Sequence, residues 1–313
     1  MTPPVSVVIP TKNAGPGLER TLAAVAEQET EHAVEIVAID SGSSDGTLEL
    51  LERRADRVLR EPPERFDHGA TRNRAIAASR GELVVLLVQD AVPADRSWLR
   101  ELVRPLLEDP RVAGSFARQL PRSDAGAITR LYCARWVASS ETPRIVEPLD
   151  AGALEALAPA ERHERCAFDN VCSCLRRSVW EAHPFRPTPI AEDLAWGREV
   201  LLAGHRLAYA ARAAVVHSHE RGAAYELGRT YLAHRRLAEL FGLRTLPRLS
   251  SLPLAVAGAL ASHLRCLLRV HGTLVPPREL WRALSLAVAW PLGQYLGGRA
   301  AVTGRDLLRP RGI

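Results

Sequence analysis

Apolar positions follow two periods that alternate along the first half of this chain. The short runs VSVVIP (5–10), VEIVAID (34–40) and ELVVLLV (82–88) are rich in β-branched residues and bounded by Pro, Gly or Asp. They predict strands, and the near-continuous third predicts one buried on both faces. Between them the apolar spacing lengthens to three and four residues. GLERTLAAVAEQE, LELLERRA and RAIAASRGE read as helices, the second capped by Ser44 or Asp45. RVLRE (57–61) is a weaker strand, SWLRELVRPLLEDP a helix ended by Pro110, and VAGSFARQ (112–119) a further strand. This alternation predicts an α/β fold, a mostly parallel central sheet flanked by helices.

The second half is less regular. Residues 120–190 hold a helical piece (AGAITRLYCARWVASS), a Pro-rich stretch, and CAFDNVCSCLRRSVW, which reads as strand then helix. AEDLAWGREVLLAGH is a helix closing at Gly204, RLAYAARAAVVHSH is extended, and AAYELGRTYLAHRRLAELFG is a long amphipathic helix. Beyond it lie two charge-poor stretches, LSSLPLAVAGALAS (249–262) and ALSLAVAWPLGQYLGG (283–298), each shorter than the ~20 apolar residues of a spanning helix. Two readings stay open for this C-terminal extension: a helical hairpin packed on the main domain, or a basic amphipathic region lying in a membrane interface. The expected division is residues 1–243 and 244–313.

Composition narrows the classes. Of the 313 residues 47% are hydrophobic and 25% charged, which predicts a folded globular chain. Of the 41 basic residues only Lys12 is a lysine, so a lone arginine carries little information. The net charge of +5 is uneven: from Arg244 on, ten arginines face only Glu279 and Asp306, an excess of eight, so residues 1–243 sum to −3. With few aromatics to stack bases, this tail favours a membrane surface over nucleic acid. The five cysteines form no CxxC pair and predict free thiols. Cys172 and Cys174 alternate along a strand, as a buried face would require, and no metal site is expected there. MTPP runs straight into VSVVIP without a signal-peptide pattern, so a cytoplasmic location is expected.

In open α/β sheets ligands bind beyond the carboxyl ends of the strands. The three clearest strands end in Pro10-Thr11-Lys12-Asn13, in Asp40-Ser41-Gly42-Ser43-Ser44-Asp45, and in Gln89-Asp90. Each alone is ordinary turn chemistry; three on one edge predict a site. Neither GxGxxG nor GxxxxGK[ST] follows the first strand, which disfavours a Rossmann dinucleotide site or a P-loop. A carboxylate such as Asp90 can hold a divalent ion that clamps a diphosphate. FDHGATRN (66–73) concentrates polar chemistry at a helix start, and its Gly69, Arg72 and free helix N-terminus suit an anion.

Taken in order, VSVVIPTKN, VAIDSGSSDGT, RNRAIAASRGE, the strand ending in Asp90, and AEDLAWG resemble family 2 glycosyltransferases of the GT-A fold over roughly residues 5 to 240. FDHGATRN, VQDAVP and HSHERGAAYELGRTYLAHRR resemble the bacterial rhamnosyltransferases of that family. The resemblance implies an inverting transfer from a nucleotide-diphospho-sugar, dTDP-rhamnose in this branch, to a lipid-linked or cell-surface glycan. It implies that Thr11 and Asp40, with Asp45, contact the nucleoside, and that Asp67, His68, Gly69, Arg72, Asn73 and Gln89 border the donor sugar and diphosphate. Asp90 matches the last carboxylate of the metal-binding DxD. The triplet here is Val88-Gln89-Asp90, so the first acid is missing. His217 or His219 matches a further ligand of a divalent cation, Mg²⁺ or Mn²⁺, and Asp193 the catalytic base. The alternatives are a family 2 transferase for another nucleotide sugar and a non-catalytic nucleotide-sugar-binding protein at the membrane.

Overall fold

The computed structural model describes residues 2–309; Arg311, counted in the tail's charge, lies outside them. The chain divides into two compact units. The first comprises the chain up to Leu120, Val137–Ala156 and Arg165–His217; the second comprises Pro121–Trp136, Leu157–Glu164 and the chain from Ser218 on.

Among the described residues the first unit carries a nine-stranded sheet: β1 (Val5–Thr11), β2 (Val34–Asp40), β3 (Arg57–Arg60), β4 (Leu83–Leu87), β5 (Val92–Pro93), β6 (Val112–Leu120), β7 (Arg144–Val146), β8 (Cys172–Arg176) and β9 (Arg206–Val216). The order is β3-β2-β1-β4-β8-β6-β9-β5, with β7 pairing β9. The β3-β2-β1-β4 part is parallel, as the alternation of strand and helix predicts. β8 then enters antiparallel to both β4 and β6, so the sheet as a whole is mixed. Because two reversals cancel, β6 and β9 run in the direction of β4, and β9 pairs parallel with β6.

The strands are buried because the sheet is covered. β4 is buried at every position, and Leu18, Leu22, Leu99, Leu102 and Val103 pack on the same cluster from the flanking helices. Cys172 and Cys174 lie in this core, where burial pushes both thiols far above their ordinary pKa. The helices of this unit are α1 (Gly17–Ala26), α2 (Thr47–Arg54), α3 (His68–Ala78), α4 (Trp98–Glu108), α6 (Ala151–Ala156), α8 (Arg177–Ala182) and α9 (Glu192–Leu202).

The second unit is helical: α5 (Ala127–Cys133), α7 (Pro159–Arg165, all but its last residue), α10 (Ala223–Phe241), α11 (Leu252–His271) and α12 (Pro277–Thr303). α12 crosses α10 closely. A Cβ on Gly297 would stand 2.3 Å from the Tyr231 carbonyl oxygen, so only glycine allows this approach. α12 continues through Pro291 for 27 residues, since packing against α10 outweighs the lost backbone bond. α11 also exceeds its charge-poor stretch: the helix runs on past Arg265 and Arg269. Contrary to the length expected from sequence, Leu249–His271 is long and apolar enough to cross a membrane.

Candidate functional site

Parallel pairing puts the carboxyl ends of β1, β2 and β4 on one edge of the sheet. β6 and β9 end on that edge too, and antiparallel β8 begins there. Residues just before β8 therefore join residues just after β4, β6 and β9. This gathers Thr11, Asp40, Asp90, Gln119, Asp169, Asn170 and His217 on one rim, and no two of the last four are close in sequence except Asp169 and Asn170.

On the β1–β2 side the polar groups stitch loops. Thr11 and Asp40 are register partners, and Thr11 Oγ1 donates to Asp40 Oδ2 at 3.2 Å. Asp40 Oδ1 also accepts the Gly42 and Ser43 amides at 3.0 and 2.9 Å. Asp45 accepts from Thr47 Oγ1 at 2.6 Å and from the Gly15 amide at 3.0 Å; the Thr47 hydroxyl bond leads in depressing its pKa. Gln89 binds the backbone of Lys12 both ways, accepting its N–H at 2.8 Å and donating to its carbonyl at 3.2 Å.

FDHGATRN opens α3, and its side chains bind mostly protein. Asp67 caps the helix by accepting the Ala70 amide at 2.8 Å. Gly69 lies against the backbone of Arg186, whose carbonyl oxygen would be 2.3 Å from an added Cβ. Asn73 locks α3 to the same segment, donating to the Phe185 carbonyl at 2.7 Å and accepting from the Phe185 amide at 3.1 Å and the Trp180 indole at 2.9 Å. Arg72 is buried and forms an ion pair with Glu192 at 3.0 Å. It also donates toward His68 Nδ1 at 3.2 Å. Since a guanidinium only donates, the His68 proton sits on Nε2. Burial lowers the pKa of His68, holding it neutral. The octapeptide thus fixes α3 and braces α9 through Glu192.

Glu192 and Asp193 begin α9, behind Ala191 at a positive φ of 61°. A non-glycine residue there carries about 1–3 kcal/mol of strain, the kind held at functional turns. The two neighbouring acids are placed oppositely. Burial works to raise the pKa of Glu192, but the Arg72 guanidinium, helped by the Asn170 amide at 3.1 Å, holds it below its ordinary value. Asp193 is pushed well above its ordinary value, first by burial and then by the negative charges of Glu192 and Asp169. The Asn170 and Leu194 amides, at 3.2 and 2.8 Å, only partly offset this. Two carboxyls with pKa values driven apart are the usual mark of an acid–base pair.

Asp90 and His217 meet across the β5–β9 ladder, with Oδ1 and Nε2 3.7 Å apart. Behind His217 runs a relay. Gln119 donates its amide to Asp169 Oδ2 at 2.7 Å, since a carboxylate only accepts. Its carbonyl oxygen therefore faces His217 Nδ1 at 3.4 Å, placing the imidazole proton on Nδ1 and the lone pair on Nε2, toward Asp90. Two donors about 2.1 Å from one octahedral cation lie roughly 3 Å apart when adjacent and about 4 Å when opposite, which brackets the Asp90–His217 separation. A carboxylate and an imidazole together are donors that a divalent cation can use. His219 lies two residues on, in the second unit.

Sequence reasoning missed Gln119, Asp169 and Asn170. CAFDNVCSC shows only a strand with a turn before it, and the antiparallel entry of β8, which brings Asp169 to the rim, has no local signature.

The model for Glycosyl transferase family 2 matches residues 6–146. The chain is 31% identical over 220 residues to the O-antigen chain rhamnosyltransferase WbaN of Salmonella anatum, covering 69% of this chain and 67% of that protein. It is 32% identical over 219 residues to the O-antigen chain rhamnosyltransferase RfbN of Salmonella typhimurium, covering 69% and 66%. It thus spans about two thirds of either relative. Among solved structures it superposes on the mannosyltransferase PcManGT from Pyrobaculum calidifontis, in complex with GDP-Man and Mn²⁺, with a TM-score of 0.56 at 20% identity, covering 97% of this chain and 75% of that one. The fold is GT-A, as the sequence leads one to expect.

Proposed function

The chain belongs to glycosyl transferase family 2, and from that premise we propose that it is an inverting glycosyltransferase that moves rhamnose from dTDP-rhamnose to a lipid-linked or cell-surface glycan. The observation that carries the chemistry is the Glu192–Asp193 pair, whose pKa values its surroundings shift in opposite directions on the rim where the strands end. Asp193 takes the proton of the acceptor hydroxyl as that oxygen bonds to the anomeric carbon; the bond from this carbon to the diphosphate oxygen breaks, and the diphosphate leaves as an anion. A raised pKa makes Asp193 a stronger base than an ordinary carboxylate. Glu192, held charged by Arg72, keeps Asp193 in tension without competing for the proton.

In this reading Thr11, Asp40 and Asp45 border the nucleoside, and Gln89 fixes the loop beneath it. His68 offers its Nε2–H to the sugar, while Asp67, Gly69, Arg72 and Asn73 hold α3 in place. Asp90, His217 and His219 would hold a divalent cation, Mg²⁺ or Mn²⁺. When bound, that ion supplies positive charge for the departing diphosphate. The two relatives named as rhamnosyltransferases support the donor. We also place the enzyme at the inner face of the cell membrane, through the second unit.

A panel of nucleotide sugars, incubated with the protein and either Mg²⁺ or Mn²⁺ and read by released nucleoside diphosphate, tests the proposal. dTDP-rhamnose should be consumed fastest. A faster GDP- or UDP-linked donor would overturn the sugar. Donor binding by calorimetry with no release from any donor, with acceptor glycan present, would favour the non-catalytic alternative.

A further inference from the structure

The helical hairpin of α11 and α12 leaves an apolar tip exposed at its turn. Inside the hairpin His263 is fully buried, bonded through Nδ1 to the Ala283 carbonyl at 2.8 Å and through Nε2 to the Tyr132 hydroxyl at 3.1 Å. Leu267, Ala283 and Leu286 pack beside it. Beyond this contact Leu268, Val270, Leu274 and Trp281 turn outward, with Leu274 86% and Trp281 72% exposed. Exposed Arg265, Arg269 and Arg278 flank them. Between Glu239 and Glu279 the chain has no acidic residue and five arginines.

We infer that this tip docks onto an anionic phospholipid surface, Trp281 and Leu274 entering the headgroup–acyl boundary while Arg265, Arg269 and Arg278 contact the phosphates. Charge decides the occupant. Two copies meeting tip to tip would set guanidinium against guanidinium, whereas anionic headgroups complement the three exposed arginines. The buried His263 argues against a span, because α11 could not cross the bilayer without uncovering it. Among the described residues Arg278 contacts Glu220 weakly, at 3.5 Å, and remains 88% exposed, so lipid can compete for it. The inference deepens the membrane reading above and does not depend on the sugar or the base.

Flotation of the full chain with vesicles tests it, using phosphatidylcholine alone or mixed with phosphatidylglycerol. Point variants serve better than removing residues 245–313, which would strip α12 from α10. The protein should float with the mixed vesicles, not with phosphatidylcholine alone, and salt should weaken it. R265Q/R269Q/R278Q should reduce partition roughly fivefold per arginine, on the order of a hundredfold together. L274S/W281S should reduce it at every salt concentration. Brominated lipid should quench the wild type more than W281F. Equal partition on both vesicles, or an unchanged triple variant, would overturn the inference. So would a concentration-dependent dimer in which Trp281 is shielded from a soluble quencher. Donor turnover in these variants should match the wild type, so failure of the lipid assay and failure of the proposed reaction remain distinguishable.

Discussion

The two sides of the rim treat their carboxylates differently. On the β1–β2 side, Asp40 and Asp45 each accept several hydrogen bonds from hydroxyls and backbone amides, which build the loops. On the β8–α9 side, Asp169, Glu192 and Asp193 crowd together with one buried arginine among them. A surface that recognises a nucleoside works best when its polar groups are preorganised. A group that must take a proton works only if its charged form is held at a cost. The first side is therefore settled chemistry, and the second is chemistry kept under electrostatic load.

Asp193→Asn breaks the loaded side most directly. Turnover should fall by about 10²–10⁴-fold, the contribution of a positioned general base. Donor affinity by calorimetry should be kept; full activity would remove Asp193 from the mechanism. The same variant carries a stability prediction of opposite sign. The folded-state pKa of Asp193 is raised, so its stabilising share is complete below the unfolded value and is lost as pH rises through the folded one. An asparagine in its place cannot ionise, so Asp193→Asn should melt above the wild type at neutral pH.

Arg72→Ala leaves Glu192 buried without its cation, and about 3–5 kcal/mol of stability should be lost in chemical denaturation. Adding Glu192→Gln should restore much of it. If Arg72→Ala were as stable as the wild type but lost diphosphate affinity, Arg72 would belong to the donor after all.

Gln119→Leu tests the link between the cation pair and the base. Loss of the Gln119 carbonyl frees the His217 tautomer, and Mn²⁺ affinity, measured by electron paramagnetic resonance, should fall roughly 10–100-fold. Unchanged affinity would show that the relay does not orient the imidazole.

The smallest effect is a shift in pH dependence. Asp169→Asn removes one negative charge that raises the pKa of Asp193, so the acid limb of the kcat/KM profile should move to lower pH. A limb that stays in place would mean Asp193 does not report there.

Much of the fold was legible because its signals are local. β-branched runs mark β1, β2 and β4, and turn residues mark the loops after them. The site was legible in part. Asp40 and Asp90 announce themselves as acids at strand ends. FDHGATRN announced polar chemistry but not its partners: Asn73, Gly69 and Arg72 are engaged with the 185–186 backbone and with Glu192, residues more than a hundred positions away. Asp169 was invisible, because its importance comes from the direction of β8.

The sequence by itself determined the alternation of strand and helix, the edge on which Thr11, Asp40 and Asp90 would gather, and a basic, apolar C-terminal region. Each follows from hydrophobic period, turn chemistry or charge, which act over a few residues. Tertiary structure alone decided that Glu192 would be held charged while Asp193 is pressed toward its protonated form. It also decided that Gln119 and Asp169 would stand between Asp193 and His217. Burial and the sign of neighbouring charges set a carboxyl's pKa, and those neighbours come from α3, β6 and β8, which only the folded sheet brings together.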